Sequence, residues 1–569
     1  MKKLMLANKA IARGAYEAGV RVLSAYPGTP STEIAEEFAK YEDVYAEWAP
    51  NEKVALEVAL GASIAGARSM VSMKHVGLNV ASDAMFSASY SGVNAGLVIV
   101  VADDPGMHSS QNEQDTRLYG VMAHVPVLEV SNSQEAKDFM KIAFELSEEY
   151  DTPVIVRTTT RVSHSQSYVE IGERVNLPLK KYVKCVSKYV MYPATARGRH
   201  IAVEARETAL KEACNNFSIN KIEMNDTSLG VICAGILYEH VKEALPSASV
   251  LKLGMVYPLP IERIKEFAKS VDKLLVVEEN EPYIEKEIKA LGITCLGRDV
   301  FSVQGEITAS VIKNRFLGEA LPKLESLPPR PPILCAGCPH RGVFYVFKKM
   351  KLTVIGDVGC YTLAASEPLA AMDTMICMGA ALGMAHGFVK ATDNNQNIVS
   401  VIGDSTFIHN GITGLINAVY NKANITLVIL DNDTTGMTGH QDNPATGKTL
   451  QNEVTNRLDL EALVRGCGVK RVCTVDAYDI SKTEMILKEE LKQDEVSVII
   501  AKRPCIMLSK LKKGTMVVHD CKSCMACFKL GCPAIIKIDN KAFIDQTLCV
   551  DCGLCVEVCP FDCIKGEDV

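Results

Sequence analysis

The chain has 569 residues, 20 of them cysteine, and its 61 basic and 68 acidic side chains give a net charge of -7. That length is too great for one core and predicts about four domains, while the lack of any Lys/Arg block or arginine–aromatic interleaving argues against a nucleic-acid partner. The longest apolar strings, Leu97 to Val101 and Leu427 to Leu430, are strand-sized and far short of a membrane span. The apolar start is interrupted at Asn8 and Lys9 before reaching signal-peptide length. A cytoplasmic protein is expected, and so many thiols suit a reducing, anaerobic cytosol.

Lys9 to Gly19 reads as a helix and Val22 to Tyr26 as a buried strand entering Pro27-Gly28-Thr29-Pro30-Ser31. A strand ending in a Gly/Pro turn, with Ser31 or Thr32 able to cap the next helix, is a common ligand edge of α/β domains. Asn51-Glu52-Lys53 lead into a helix dense in small residues, Leu56 through Ala67, which can back closely onto a cofactor or another backbone. Taken alone, Glu52 is an acid facing a helix N-terminal dipole. Pro153 to Arg157 closes this domain, and residues 161–225 form a mixed, charged connecting segment with no legible chemistry. Strand–turn–helix patterning restarts at Leu229 to Gly235. It continues through Leu251 to Leu253, a helix from Ile261 to Lys269 and a strand from Leu274 to Glu279, in which Glu278 and Glu279 read as solvated. Cys233 and Cys295 read as small buried side chains. Leu327-Pro-Pro-Arg-Pro-Pro332 cannot continue a helix or central strand and marks a linker.

The next domain carries Val401-Ile-Gly403-Asp404-Ser405, a helix from about His409 to Tyr420, and Leu427-Val-Ile-Leu-Asp431-Asn432. Each strand ends in acid or amide residues, in line with a parallel sheet holding a ligand at its strand ends. Mg²⁺ takes oxygen ligands and shares them with phosphate; Asp404 can give a carboxylate, Asn432 an amide oxygen and Thr434 its carbonyl. An Asp after Gly is also often only a turn. Four further cysteines belong here: Cys335 and Cys338 as a CxxC, Cys360 after Gly359, and Cys505 after Pro504. Read alone, they are a reducible pair and core thiols. Cys377, Cys467, Cys473 and Cys563 show no pattern and are taken as structural.

The chain ends in two cysteine runs, Cys521, Cys524, Cys527, Cys532-Pro533 and Cys549, Cys552, Cys555, Cys559-Pro560. Thiolates suit iron, and in paired runs of this kind the cysteine before proline serves the other cluster. One 4Fe–4S cluster is thus expected on Cys521, Cys524, Cys527 and Cys559, the second on Cys549, Cys552, Cys555 and Cys532. Structural zinc and disulfides are the competing readings. The first run has one residue more than usual before Cys532, an insertion that can bulge outward.

Residues 512 to 569 resemble a bacterial two-cluster ferredoxin. Tyr26-Pro-Gly-Thr-Pro-Ser31, Asn51-Glu52 and Gly61-Ala-Ser-Ile-Ala-Gly66 resemble the pyrimidine-binding domain of 2-oxoacid:ferredoxin oxidoreductases. The resemblance implies that Glu52 hydrogen-bonds the aminopyrimidine of thiamine diphosphate and activates it, and that Thr29 and Arg117 contact the substrate; Arg117 can equally be an ordinary surface ion pair. His75 and His108 lie in the same loops, as buried histidines or as participants. The segment from 229 to 279 resembles the family's transketolase C-terminal-like domain. Gly403-Asp404 with Asn432 resembles the thiamine diphosphate signature, with Ser405 where glycine is usual. Gly436-Met437-Thr438-Gly439 resembles the loop beside the thiazolium and diphosphate, and Met378-Gly379-Ala380 is placed near the phosphates. By the same resemblance Cys335, Cys338, Cys360 and Cys505 match the ligands of a third, proximal 4Fe–4S cluster, although His340-Arg341 departs from the pyruvate enzymes.

The expected fold is α/β: a pyrimidine-binding domain (1–160), the connecting segment (161–225), a transketolase C-terminal-like domain (226–325), a diphosphate-binding domain (326–510) and a two-cluster ferredoxin-like domain (511–569). The fused tail points to the family's aryl pyruvate branch. The implied reaction is oxidative decarboxylation of an aryl pyruvate such as indolepyruvate or phenylpyruvate with CoA, giving aryl-acetyl-CoA and CO2, with electrons passing through the clusters to ferredoxin. A smaller β subunit is expected, in an assembly such as α2β2. The rivals are an oxidoreductase of another 2-oxoacid, a non-oxidative thiamine enzyme, and an electron-transfer or scaffold subunit with a degenerate thiamine site.

Overall fold

In a computed structural model, residues 1–321, 328, 330–392, 397–509 and 514–566 are described; Leu327 and Pro329 of the expected linker and the expected boundary at 510 to 511 lie outside them. The chain divides into two compact units, Met1–Glu325 and Ser326–Val569. Among the described residues no helix is long and apolar enough to cross a membrane.

The first unit is built on a seven-stranded sheet. Its spatial order is Met255–Tyr257, Val127–Glu129, Val154–Thr159, Leu97–Asp103, Ser69–Lys74, Val22–Ala25 and Tyr45–Trp48. All neighbours run parallel except the first pair. Runs such as Leu97–Asp103 are buried along their whole length, as strands covered on both faces must be. A four-stranded sheet follows, ordered Leu274–Val277, Asp226–Ala234, Ala248–Leu253, Lys221–Glu223. The two sheets are not independent. Met255–Tyr257 leaves the second to pair with Val127–Glu129 of the first, and one core runs from Leu56 and Val71 to Ile232, Val276 and Ile284.

The segment 161–225 is more than a connection. Pro193–Ala213 forms a 21-residue helix, and its buried Arg206 donates to Ser89 O and Oγ, His124 O and Asp151 O. Its charged sequence conceals it, because only Val203, Arg206 and Leu210 are buried.

The second unit holds a five-stranded parallel sheet, ordered Thr353–Ile355, Ile398–Gly403, Thr426–Asp431, Ser497–Lys502, Arg471–Asp476. The helix expected from His409 begins instead as a wide π turn, Phe407–Gly411, and becomes α-helical at Ile412–Tyr420. The cysteine-rich tail pairs Met516–Val518 with Ile564–Gly566 and Ile535–Ile538 with Lys541–Ile544. It packs into the unit's main core: Leu530, Ile544 and Leu554 join Val343, Phe347, Val401 and Ile480 in one cluster.

Candidate functional site

In the first unit the parallel strands end at the loops that carry the expected pyrimidine-side residues. Asn51 caps the helix Glu52–Ala65 by accepting from Val54 N, which brings Glu52 to the first turn. Glu52 is 6% exposed and lies against the first turn of the helix His75–Ser91: a Cβ on Gly77 would stand 2.6 Å from both Cγ and Oε1 of Glu52. Only glycine leaves that space for the carboxylate, a signal the sequence holds in Lys74-His75-Val76-Gly77 without revealing its partner. Thr29 is half-buried in the turn after Val22–Ala25, and its carbonyl accepts from Ser109 Oγ at 3.3 Å. His75 is buried, with Nε2 3.3 Å from Asn112 O, and burial lowers its pKa. His108 is exposed and pairs with Glu306.

Arg117, the expected substrate contact, is engaged by groups of the protein itself. It is 2% exposed and grips Asp115 through Nε (2.9 Å) and Nη2 (2.6 Å), Glu278 Oε2 through Nη1 (2.9 Å), and the carbonyls of Glu279 and Glu281. Every guanidinium nitrogen is thus engaged inside the protein. Glu278 and Glu279, read as solvated, are buried. Burial outweighs Arg117 and raises the Glu278 carboxyl; Glu279 is pushed up to about 7 by burial, with Ile307 N–H partly offsetting it. For Asp115 the two-pronged grip of Arg117 overcomes burial and holds the carboxyl low.

In the second unit Asp404 follows Gly403 at a strand end and is buried. Burial and the neighbouring Asp431 push its carboxyl up to about 8, the state of an acid that lacks a countercharge. One terminal atom of the Asn432 amide lies 3.1 Å from Asp404 Oδ1 and 2.9 Å from Thr434 O. With nitrogen there, Asn432 donates two hydrogen bonds; with oxygen there, three oxygen donors stand together. Neighbouring ligands in a Mg²⁺ octahedron with bonds of about 2.0–2.1 Å are separated by about 3 Å, so the set fits that ion. Ser405, in the usual glycine position, accepts from Thr435 Oγ1 at 2.9 Å. Gly436 opens the turn that includes exposed Met437 and Thr438, whose hydroxyl donates to Gln441. Asp357, which the sequence reading passed over, is buried and accepts from Val358 N, Gly379 N and Ala381 N, fixing the Met378-Gly379-Ala380 turn. Its Gly356-Asp357 at a strand end repeats the Gly403-Asp404 pattern and was findable on that ground.

Cysteines adjoin this oxygen set. A Cβ on Gly436 would meet Cys360 Sγ at 3.4 Å and Asn432 Nδ2 at 3.7 Å, and Cys505 N–H donates to Asn432 O at 2.9 Å. Burial raises Cys338 to about 12 and Cys360 to about 11; charges on Cys335 and Cys360 add to the first, on Cys505 and Cys335 to the second. Cys338 and Cys360 thus each feel two of the other three thiols. His340 lies edge-on to the Tyr361 ring, and burial takes its pKa down to about 4. Arg341 is buried, donating to the carbonyls of Leu334, Cys335, Leu530 and Gly531, and so ties the CxxC loop to the tail.

The tail thiols line two apolar cavities. Cys532, Cys549, Cys552 and Cys555 surround one, with Ile535, Ile544 and Leu554. Cys521, Cys524, Cys527 and Cys559 surround the other, with Phe528, Ala542 and Ile564, and Cys563 also reaches it. Burial raises Cys555 to about 12 and Cys527 to about 11. Thiols of this kind form stable thiolates only beside a strong cationic centre, and apolar chambers ringed by four of them fit iron–sulfur cubanes. Ala542 N–H points at Cys521 Sγ (3.4 Å) and Cys563 N–H at Cys559 Sγ (3.3 Å), the donors expected around cluster sulfurs.

The thiamine-diphosphate-binding model of pyruvate flavodoxin/ferredoxin oxidoreductases matches residues 13–211, the C-terminal TPP-binding domain of thiamine pyrophosphate enzymes matches 357–501, and the 4Fe-4S binding domain matches 542–565. The chain is 41% identical to the indolepyruvate oxidoreductase subunit IorA of Archaeoglobus fulgidus, over 99% of this chain and 97% of that one. It is 42% identical to the protein of the same name from Methanothermobacter marburgensis, with the same coverage. A solved 2-oxoglutarate:ferredoxin oxidoreductase from Magnetococcus marinus matches at 19% identity over 56% of this chain and 65% of its own, with a TM-score of 0.47.

Proposed function

Because the chain belongs to the family of indolepyruvate oxidoreductase subunit IorA, and so to the thiamine-dependent 2-oxoacid:ferredoxin oxidoreductases, we propose that it oxidatively decarboxylates aryl pyruvates. The products are an aryl-acetyl-CoA and CO2, with two electrons leaving through its clusters to ferredoxin. The observation that carries the redox half of this reading is the join at Asn432. Its side-chain amide faces Asp404 and the Thr434 carbonyl, while its backbone carbonyl accepts the N–H of Cys505. A cysteine set linked through the Cys505 N–H to residues assigned to the diphosphate and its metal suits an enzyme whose chemistry releases electrons. A non-oxidative thiamine enzyme has no use for it.

Glu52 is assigned the aminopyrimidine of thiamine diphosphate, where a buried carboxylate beside a small-residue helix holds the proton that activates the ring. Asp404, Asn432 and Thr434 O are assigned Mg²⁺, and Gly403, Ser405 and Gly436 to Thr438 line the diphosphate's surroundings. When bound, the cofactor supplies an electron sink for decarboxylation. Thr29, in the strand-end turn, is assigned a contact to the substrate's keto oxygen. Cys335, Cys338, Cys360 and Cys505 are assigned a proximal 4Fe–4S cluster, and the two tail quartets a pair that passes electrons outward. A smaller companion subunit completes the enzyme, as α2β2, in a reducing cytoplasm.

The test is anaerobic ferredoxin reduction by the complex with indolepyruvate, phenylpyruvate, pyruvate and 2-oxoglutarate, with and without CoA. Aryl pyruvates should give the highest kcat/KM and require CoA. Equal or greater kcat/KM on pyruvate overturns the aryl assignment, and turnover without bound thiamine overturns the whole reading.

A further inference from the structure

A 2-oxoacid brings a carboxylate into a partly buried site, and a buried anion needs a cation. Arg117 already faces two carboxylates, Asp115 and Glu278. Arg157 is likewise buried between Asp103 (2.7 Å), Glu129 (2.6 Å) and Asn280 (3.0 Å). Lys74 is different. It ends the strand Ser69–Lys74, on the sheet edge where parallel α/β proteins bind ligands. It is 8% exposed, yet no carboxylate of the described residues lies within 4 Å of its ammonium. Nζ donates to Ser109 O at 2.6 Å and to Ser109 Oγ at 3.3 Å. Two acceptors serve three protons, and the third proton has no acceptor among the described residues.

The surroundings point to the same use. Ser109 Oγ also donates to Thr29 O, and a Cβ on Gly28 would touch Lys74 Cβ at 3.1 Å, so the ammonium and the Thr29 turn form one contiguous set. Three residues after Lys74 comes Gly77, against the Glu52 carboxylate. Burial lowers the ammonium's pKa to about 8, with Asp104 only partly offsetting it. A ligand carboxylate relieves that penalty.

We propose that Lys74 is the residue that binds the carboxylate of the 2-oxoacid, an inference that rests on the 2-oxoacid reading above. Its electrostatics make a specific kinetic forecast. On decarboxylation the carboxylate leaves as neutral CO2 and the electron pair of the broken bond stays with the acyl carbon, so the attraction to Lys74 is strongest before the bond breaks. Removing Lys74 should raise KM without lowering kcat.

The experiment compares wild type, Lys74→Met, Lys74→Gln and Lys74→Arg in the complex with the companion subunit. It measures kcat and KM for the 2-oxoacid, KM for CoA, bound thiamine and iron, and calorimetric Kd for indole-3-lactate and indole-3-ethanol, which differ in the carboxylate. A truncated partner of a buried charge pair is expected to raise the 2-oxoacid KM and the indole-lactate Kd about 100-fold. The indole-ethanol Kd, the CoA KM and thiamine content should stay within about threefold, and Lys74→Arg should recover to within about tenfold of wild type. If Lys74→Met fails to assemble, Lys74→Gln, which can still donate to Ser109, decides. A 2-oxoacid KM and indole-lactate Kd within about threefold of wild type in an assembled variant overturn the proposal. A rise in the CoA KM alone reassigns Lys74 to a CoA phosphate and also overturns it. A wild-type complex that oxidises no 2-oxoacid is a separate result, which removes the functional reading itself.

Discussion

Replacing Arg117 with methionine separates a substrate contact from a buried strut. The side chain keeps its approximate length but loses the charge facing Asp115 and Glu278, both nearly inaccessible to water. Breaking a buried pair by removing one partner costs about 3–5 kcal/mol, because the remaining charge is left uncompensated. For a unit of this size that corresponds to about 2 °C per kcal/mol, hence a fall in Tm of about 6–10 °C. The loss should also depend on pH. Glu278 is already raised by burial, and without the guanidinium Asp115 joins it. A carboxyl whose folded pKa exceeds its unfolded value contributes stability below the unfolded value, near pH 4, and loses it as pH rises through the folded one. The deficit relative to wild type should therefore grow between pH 5 and pH 8. Anaerobic scanning calorimetry at a fixed scan rate reads both effects. An unchanged Tm together with a selectively raised KM for the 2-oxoacid would refute the argument and return Arg117 to the substrate.

Glu52→Gln should abolish turnover while leaving visible cluster absorbance intact, because it touches no thiolate; retained turnover rejects the cofactor assignment. Gly77→Ala drives a methyl into the Glu52 carboxylate and should lower kcat about 100-fold with unchanged iron, the scale of an ångström-level misplacement; wild-type rates would put Glu52 away from the chemistry. Cys505→Ser should remove about one cluster's worth of iron, whereas unchanged iron and electron transfer argue against a proximal cluster. Arg341→Met leaves buried carbonyls at Leu334, Cys335, Leu530 and Gly531 unsatisfied, about 2–4 kcal/mol of local stability. It should lower the urea concentration at which cluster absorbance disappears, and an unmoved midpoint contradicts that role.

The features legible in the sequence were those whose geometry is set over short stretches of chain. Thr426–Asp431 and Leu274–Val277 are apolar runs bounded by turns, and such runs are strands wherever both faces are covered. The grouping of the tail thiols was legible because their spacing along the chain is a covalent constraint. Arg117 was not: its partner Glu278 lies 161 residues downstream, and nothing local marks the pairing. Lys74 was missed for the complementary reason, since a short strand ending in lysine says nothing about whether that lysine reaches water. The π turn at Phe407–Gly411 escaped because a single residue added to a helical turn leaves the apolar spacing almost unchanged.

The exchange of Cys532 and Cys559 between the two chambers has a consequence for how the tail is made and lost. If each chamber holds a cluster on its four thiols, neither run can complete one from its own stretch of chain, so the first cluster to form draws both runs together and leaves the second chamber nearly closed. Filling should be close to all-or-none: native mass spectra taken during anaerobic reconstitution should show tails with no cluster or two and few with one. Damage should follow the same rule in reverse. Oxygen that destroys either cluster releases a cysteine tethered beside the other, making the pair a single redox unit in its breakdown as well as in its assembly.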